Sequence, residues 1–269
     1  MIKIENVEVV GMEHAIRGMR NPMNSWEKSN SVSCFPGEAC SVCEDRHTGR
    51  CINGFIIGEN DMTLMKKLAN GGPVHAKYRR MIAVYLDIVA PSYWWKEFDT
   101  YKVGTVANST STMHKIHAKE FTRDDFSCEH LMGWEEAKEN CCFVGDMIGC
   151  GDYLFSPNGV MDEIIIPMLN RCREAYLRAD ERLKTDKTLT EAERKHIESQ
   201  RKYFWWQMIQ LLPFSYHYRR TIMLNYEVLT GIYESRKNHK LDEWREFCKW
   251  IEQLPYSEII TGERAGEEA

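Results

Sequence analysis

The sequence has little that would tie it to a membrane or to nucleic acid. No apolar stretch approaches the roughly 20 residues that a transmembrane helix needs, so no membrane partner is expected. The formal net charge is −5, from 35 Lys+Arg against 40 Asp+Glu. A sequence-independent grip on nucleic acid needs a dense basic face, so none is expected. The start, Met1–Glu5, lacks the apolar core of a signal peptide, and we expect a cytoplasmic protein.

The composition is that of an ordinary folded protein. Hydrophobic residues make up 43% and charged residues 28% of the 269 residues. These values exclude a disordered or collagen-like chain. We predict one domain over residues 1–269, with a Cys-rich insertion at about 27–58 and an irregular insertion at about 121–160.

The hydrophobic pattern of the first half predicts two strands and several short helices. Residues 2–10 alternate apolar and polar, which fits a strand with one buried face. A stronger strand is predicted at 78–90, and Pro91 is expected to open the next helix, because proline suits the first helical turn. Three other segments are predicted in this half: helices at 13–20 and 60–69, and a small polar loop at 104–111.

The second half is predicted to be helical. Apolar stripes predict helices at 161–183, 216–236 and 241–254. Thr190 with Glu193 forms a capping-box signal for a further helix over 190–212. We therefore predict an α/β (α+β) fold, with a small N-terminal sheet and a helical C-terminal half.

Four cysteines lie close together in the first insertion: Cys34, Cys40, Cys43 and Cys51. The two-residue gap between the middle pair suits tetrahedral zinc, and we predict a structural zinc site that orders the insertion. His47 competes with Cys51 as the fourth ligand. Free buried thiols and a redox pair stay open as alternatives. Cys172 and Cys248 lie in helical patterns and are predicted to be core residues.

Two other stretches combine chemically versatile residues with ordered spacing. In the first, at residues 75–113, His75 precedes the strand that ends in Val89-Ala90-Pro91, and a polar loop then carries Asn108 and Ser111. In the second, at residues 211–254, Leu212-Pro213 is followed by Asn225, Arg236 and Trp244.

These two stretches resemble the flavin-dependent thymidylate synthases, in residue type, spacing and order. The resemblance implies that family's fold and a homotetramer with its sites between subunits. It also implies FAD as cofactor, with reduced nicotinamide and methylenetetrahydrofolate as co-substrates. The implied reaction is C5 methylation of a pyrimidine nucleotide, dUMP or a related one.

The resemblance assigns roles to individual residues. Ser111 would lie beside the pyrimidine base, and Arg236 would pair with an anionic oxygen of the substrate. Four residues would bind the cofactor: His75, Lys102, Asn108 and Asn225.

This sequence departs from the family pattern where anions are bound. The family's Arg-His-Arg signature is Thr100-Tyr101-Lys102 here. Three further positions where the family has arginine hold Met113, Ile209 and Glu227. Losing a bidentate guanidinium from a phosphate site is costly, because lysine offers only a point charge. Nearby cations that would replace them are Arg79, Arg80, Lys115, Arg219 and Arg220.

Each site residue also has a purely structural interpretation. His75 would cap a strand entry and Ser111 a turn. Asn225, placed inside a predicted helix, would bond a neighbouring backbone group. Arg236 would be favoured near a helix C-terminus by the helix dipole. Taken together, these interpretations describe the rival hypothesis, a non-catalytic nucleotide-binding or assembly protein on the same scaffold with a zinc-ordered loop.

Overall fold

The computed structural model describes residues 1–34, 44–47, 51–139 and 156–262. These residues form two compact units. The first unit comprises Met1, residues 90–93 and residues 110–218. The second comprises residues 2–89, 94–109 and the chain from 219 onward. Among the described residues, no helix has the length and apolar character that a membrane crossing requires.

Most strands of the described residues lie in the first half of the chain, and most of the long helices lie in the second half. The strands are β1 (Lys3–Val10), β2 (Val32–Ser33), β3 (Cys51–Ile52), β4 (Phe55–Ile56), β5 (Ala83–Pro91), β6 (Val106–Ser109) and β7 (His217–Asn225). The α-helices up to residue 139 are α1 (Met12–Arg20), α2 (Glu44–His47), α3 (Glu59–Asn70), α4 (Ser92–Phe98), α5 (Thr112–Lys115) and α6 (Trp134–Glu139). The later ones are α7 (Pro157–Gly159), α8 (Ile166–Thr185), α9 (Glu191–Leu211), α10 (Tyr226–Arg236), α11 (Asp242–Glu252) and α12 (Glu258–Thr261).

The second unit is built on a sheet with strand order β1-β5-β7-β6. Strands β1 and β5 run antiparallel with Val9 opposite Val84, and β6 pairs antiparallel with β7. Alternate side chains of β5 and β7 are fully buried, as a sheet with one covered face requires: Val84, Leu86, Ile88, Ile222 and Leu224. The opposite face carries polar groups such as Asp87 and Thr221, whose side chains hydrogen-bond at 2.6 Å.

An aromatic core in the second unit joins α4 to α11. Its fully buried rings are Trp94, Trp95, Phe98, Trp244 and Phe247. The Trp94 and Trp244 rings lie 4.7 Å apart between centroids. Because large rings bury the most apolar area per residue, this cluster fixes the C-terminal end of α4 against α11.

A buried carboxylate ties the segment after α1 to helix α3. Asp61 is fully buried and accepts hydrogen bonds from Arg20 Nε at 2.6 Å, Ser29 Oγ at 2.7 Å and Ser31 Oγ at 2.6 Å. Arg20, itself 4% exposed, also donates to the carbonyls of Ser25 and Lys28. Each partner therefore compensates the other's loss of hydration.

The first unit consists mainly of α8 packed along α9. A six-residue π-helical segment, Val160–Ile165, leads into α8. The connection between the two helices ends in a capping box, with Thr190 as N-cap and Glu193 as its partner. The buried core of this unit is Ile116, Phe121, Phe126, Cys128, Met161, Leu169, Cys172 and Met208.

The structure confirms most of the predicted elements and corrects several. The fold class is confirmed, as are the capping box and the buried positions of Cys172 and Cys248. The segment 76–81 is a 3-10 helix, so the second strand begins at Ala83 and not at residue 78. Pro91 ends β5 instead of opening the next helix. The predicted irregular segment 27–58 contains a small sheet of order β2-β4-β3.

The largest error lies in the predicted helix 216–236. Its first part is strand β7, and only Tyr226–Arg236 is helical. The predicted loop 104–111 likewise contains strand β6, which pairs with β7 from Val106 opposite Met223 to Ser109 opposite Arg220. Sheet pairing overrides local preference in both segments, since a strand forms only where a neighbour supplies its backbone hydrogen bonds.

Candidate functional site

Arg236 is the last residue of α10, and the second unit engages it from several sides. Its Nε donates to Tyr101 Oη at 2.8 Å, and its Nη1 donates to Glu97 Oε2 at 2.9 Å. The guanidinium carbon lies 4.8 Å from the centroid of Trp244, whose indole N–H donates to the same Glu97 oxygen at 2.9 Å. The guanidinium is therefore firmly oriented, but a carboxylate already balances its charge.

Asn225 is the N-cap of α10 and not a residue inside a helix. Its Oδ1 accepts a hydrogen bond from Val228 N at 3.0 Å, which satisfies one of the free donors of the first helical turn. The loop after α4 approaches it closely. A Cβ on Gly104, whose φ is +81°, would stand 2.9 Å from Asn225 Nδ2. Glycine is thus required at 104, both for its left-handed conformation and for the contact.

The segment at the position of the family's Arg-His-Arg signature offers one uncommitted cation. Thr100 Oγ1 donates to the Glu97 carbonyl at 2.7 Å, and the Tyr101 hydroxyl accepts from Arg236. Lys102 is exposed and has no ion-pair partner among the described residues. It is therefore the member of this segment that is open to a ligand.

Asn108 and His75 are also exposed in the second unit. Asn108 lies on β6 opposite Thr221 of β7. His75 precedes the 3-10 helix Ala76–Met81, and its backbone N–H donates to Gly72 O at 3.0 Å. Both side chains are exposed.

Three of the arginines that would replace the lost phosphate ligands are paired within the second unit. Arg219 Nη2 donates to Glu5 Oε2 at 2.6 Å. Arg220 pairs with Asp99 and lies 4.3 Å from the Trp95 ring centroid. Arg79, with 9% of its side chain exposed, lies 3.7 Å from Glu227, one of the residues that stand where the family has arginine.

Ser111 belongs to the first unit, where it is the N-cap of the short helix α5. Its Oγ accepts a hydrogen bond from His114 N at 3.2 Å. The hydroxyl proton is still available for donation, so the cap and a ligand contact are compatible.

A cavity of about 450 Å³ lies in the first unit beside α5. Its walls come from α5 and the residues after it, from α8 and from α9: Met113, His114, His117, Tyr176, Glu198, Arg201, Lys202 and Trp205. The volume is in the range of sites for small organic ligands. Met113 also occupies one of the positions where the family pattern has arginine.

Sequence reasoning did not identify this pocket, although part of its signal is visible. The α9 residues that line it recur at spacings of three and four, as residues on one helix face do: Glu198, Arg201, Lys202 and Trp205. The contribution of α5 and α8 follows only from tertiary packing. A second cavity, of about 660 Å³ in the second unit, is lined by the start of α3 and residues 253–258 and contains none of the predicted site residues.

The cysteine-rich segment is described only in part. Cys34 is exposed and Cys51 is half-buried, whereas Cys40 and Cys43 lie outside the described residues. Among the residues that are described, no group of three or more His, Cys, Asp or Glu side chains is arranged to hold a metal. The zinc site therefore stays a prediction.

Solved structures are similar to this chain over nearly its whole length. The structure of thymidylate synthase X from Helicobacter pylori with FAD and dUMP matches with a TM-score of 0.52 and 13% identity, covering 98% of this chain and 98% of that chain. The UMP/dUMP methylase PolB from Streptomyces cacaoi, bound with 5-Br dUMP, matches with a TM-score of 0.48 and 13% identity, covering 97% of this chain and 95% of that chain. No protein-family model and no curated protein matches the sequence.

At this level of identity the likeness shows the fold alone. The match with thymidylate synthase X leaves almost no part of either chain uncovered. The chain therefore has the fold of the flavin-dependent thymidylate synthases.

Proposed function

We propose that the chain binds a pyrimidine nucleotide, dUMP or a related one, and methylates its C5 atom with the help of FAD. The observation that carries this proposal is the fold match over nearly the whole chain. The retained His75, Asn108, Ser111, Asn225 and Arg236 support it. Reduced nicotinamide and methylenetetrahydrofolate would be the co-substrates, as the sequence resemblance implies.

The exposed donors of the second unit fit a flavin, with one cation where the family pattern has more. His75, Lys102 and Asn108 would hold it, since an imidazole, an ammonium and an amide suit the polar edge of a flavin and one phosphate oxygen. A bound flavin would supply hydride chemistry that no side chain offers. In this proposal Asn225 also contacts the flavin, while its Oδ1 caps α10.

Two residues would act on the nucleotide. Arg236, oriented by Glu97 and Tyr101, keeps Nη2 without a partner among the described residues and would donate to an anionic oxygen of the substrate. Ser111 from a neighbouring copy of the chain would donate its hydroxyl proton to the pyrimidine. A guanidinium held in place before the ligand arrives loses little freedom on binding.

A second candidate function is a non-catalytic nucleotide-binding or assembly protein. The internal pairing of Arg79, Arg219, Arg220 and Arg236 favours it, because each cation that a carboxylate balances contributes less to a phosphate. The two candidates differ in one property, flavin binding.

The visible absorption spectrum separates the two candidates. The purified protein is titrated with FAD and then assayed for release of tritium from C5 of labelled dUMP, with reductant and folate present. Flavin bands and tritium release are expected. The variant Lys102→Gln should weaken FAD binding, whereas Lys249→Gln on α11 serves as a matched control. Absence of FAD binding refutes methylation and leaves the non-catalytic candidate.

The assembly and the metal are also proposals. A homotetramer predicts a particle about four times the mass of one chain in light scattering. Zinc held by Cys34, Cys40, Cys43 and Cys51 predicts one equivalent of metal after purification without chelator. Substoichiometric metal, unchanged by added zinc, would contradict the second proposal.

A further inference from the structure

The cavity of about 660 Å³ in the second unit lies apart from every residue assigned to flavin or nucleotide. One wall is Ile57 with the first two turns of α3, and the other is residues 253–258, between α11 and the start of α12. The volume is in the range of sites for small organic ligands. Its lining therefore shows which class of ligand it would accept.

Hydrogen bonds hold the two walls of this cavity in place. Ile57 N donates to Tyr256 Oη at 3.1 Å, which joins one wall to the other. From α10, Tyr226 Oη donates to the carbonyl of Pro255 at 2.6 Å. Tyr256 itself has a left-handed backbone, with φ +53°, which is uncommon for a residue other than glycine. A wall that is fixed in this way loses little freedom when a ligand binds.

Much of the lining is apolar. Ile57 and Leu254 are buried, and Met62 and Pro255 are half-buried. The half-buried Tyr256 adds an aromatic ring. Apolar surface of this kind binds hydrocarbon, because the contact removes area from water on both sides.

The charged residues of the lining are two glutamates and one lysine. Glu59 is exposed and Glu258 is half-buried, and neither forms an ion pair within the described part of the chain. Lys66, also half-buried, is the cation of the lining, so one positive charge against two negative charges leaves a formal charge of −1. Carboxylates that no cation of the protein balances attract a cationic ligand, and the half-buried one is screened less by water and salt.

We propose that this cavity binds an organic amine that carries one positive charge on an apolar body. The ammonium group donates to Glu258 and Glu59, and the apolar body packs against Met62, Leu254 and Tyr256. An anionic ligand would meet two carboxylates, and a bare metal ion would make no use of the apolar lining. The proposal does not depend on the proposed function, since it involves neither flavin nor nucleotide.

The test is calorimetric titration of the full-length protein with three probes of similar shape and different charge: 2-phenylethylamine, 2-phenylethanol and 3-phenylpropanoate. We expect the amine to bind about ten-fold more tightly than the alcohol, because its hydrogen bonds to carboxylates are charge-assisted. The carboxylate probe should bind most weakly. Equal affinity for the amine and the alcohol, or no binding of the amine, overturns the proposal.

Substitutions in the lining locate the binding. Glu258→Gln should weaken amine binding about five-fold and leave binding of the alcohol unchanged, since about 1 kcal/mol corresponds to about five-fold in affinity. Glu59→Gln should have a smaller effect, because its exposed charge is screened more. Lys66→Gln should strengthen amine binding, since it removes a like charge. Amine binding that none of the three variants changes overturns the assignment to this cavity.

Glu13→Gln is the matched control. Glu13 is an exposed glutamate of α1 that lies outside the cavity and forms no ion pair among the described residues. This variant should bind the amine as the unmodified protein does. If it weakens binding as much as Glu258→Gln does, the amine is attracted by the net negative charge of the protein alone, and the proposal fails. Thermal unfolding of each variant confirms that it is folded.

Discussion

The cations of the two units are held in different ways. In the second unit the guanidinium groups of Arg20, Arg79, Arg219, Arg220 and Arg236 each lie against a carboxylate of the same unit. In the cavity of the first unit, Lys202 has no such partner among the described residues, and Arg201 uses a single nitrogen on Asp180. Buried pairs such as Arg20–Asp61 stabilise the fold, whereas Lys202 and the remaining donors of Arg201 and Arg236 are available to a ligand.

This difference shows why counting arginines is a poor guide to anion sites. A guanidinium binds phosphate through several parallel hydrogen bonds, and a carboxylate partner occupies the same donors. Burial raises the cost of separating such a pair, because each charge would be left without hydration.

The largest effect is expected for Asp61→Ala, which leaves Arg20 buried without its carboxylate. We expect the free energy of unfolding to fall by about 3–5 kcal/mol, measured by chemical denaturation. Asp99→Ala is the comparison, since Asp99 is 50% exposed in its pair with Arg220 and should cost less than about 1 kcal/mol. Equal losses for the two variants would show that burial does not set the strength of these pairs.

The Arg20–Asp61 pair predicts that stability depends on pH in the acid range. Burial opposes ionisation of Asp61, but hydrogen bonds from Ser31, Ser29 and Arg20 outweigh burial and lower its pKa. The stabilisation is therefore complete above the pKa of the unfolded chain and is lost as the pH falls through the lower pKa of the folded protein. Asp61→Asn should flatten the acid limb of a plot of unfolding free energy against pH. An unchanged slope would contradict the assignment.

A smaller effect is expected at Asn225, whose side-chain oxygen accepts a hydrogen bond within the second unit. Asn225→Ala removes the N-cap of α10 and should lower the free energy of unfolding by about 1 kcal/mol. Asn225→Asp keeps a capping oxygen and should lose less. If Asn225→Asp impairs FAD binding as much as Asn225→Ala does, although it loses less stability, the amide contacts the cofactor directly.

The smallest change in stability is expected for Glu97→Gln, which releases the charge of Arg236. Both residues are partly exposed, so the loss should stay below about 1 kcal/mol. The guanidinium, no longer paired with a carboxylate, should bind dUMP up to about five-fold more tightly, because about 1 kcal/mol corresponds to about five-fold in affinity. Titration of the variant measures it, and unchanged or weaker binding would show that Arg236 does not face the nucleotide.

The sequence predicts the helices of the first unit better than the strands of the second. Helices α8 and α9 have long periodic patterns and a capping box, all of which are local signals. Strand β7 joins α10 without an intervening glycine or proline, and its two fully buried residues, Ile222 and Leu224, fit a helical or a strand pattern in so short a window. The partner strands that decide between them are distant in sequence.

The candidate site was predictable only as a set of positions. Spacing identified Asn225 and Arg236, but their actual partners were not visible. Glu97 neutralises Arg236 from a helix far away in the chain. The cavity beside α5 depends on three separate segments meeting, and no single motif contains them. Contacts of this kind arise from packing, which pattern and propensity do not encode.

The helical hairpin of α8 and α9 has a consequence for the order of folding. Its two arms are joined by a short connection with its own capping box, so closing that loop costs little chain entropy. The sheet must instead bring β1, β5 and β7 together from opposite ends of the sequence. Local structure forms sooner than distant pairing. Pulsed hydrogen exchange should therefore find amides of α9 protected earlier than those of β7.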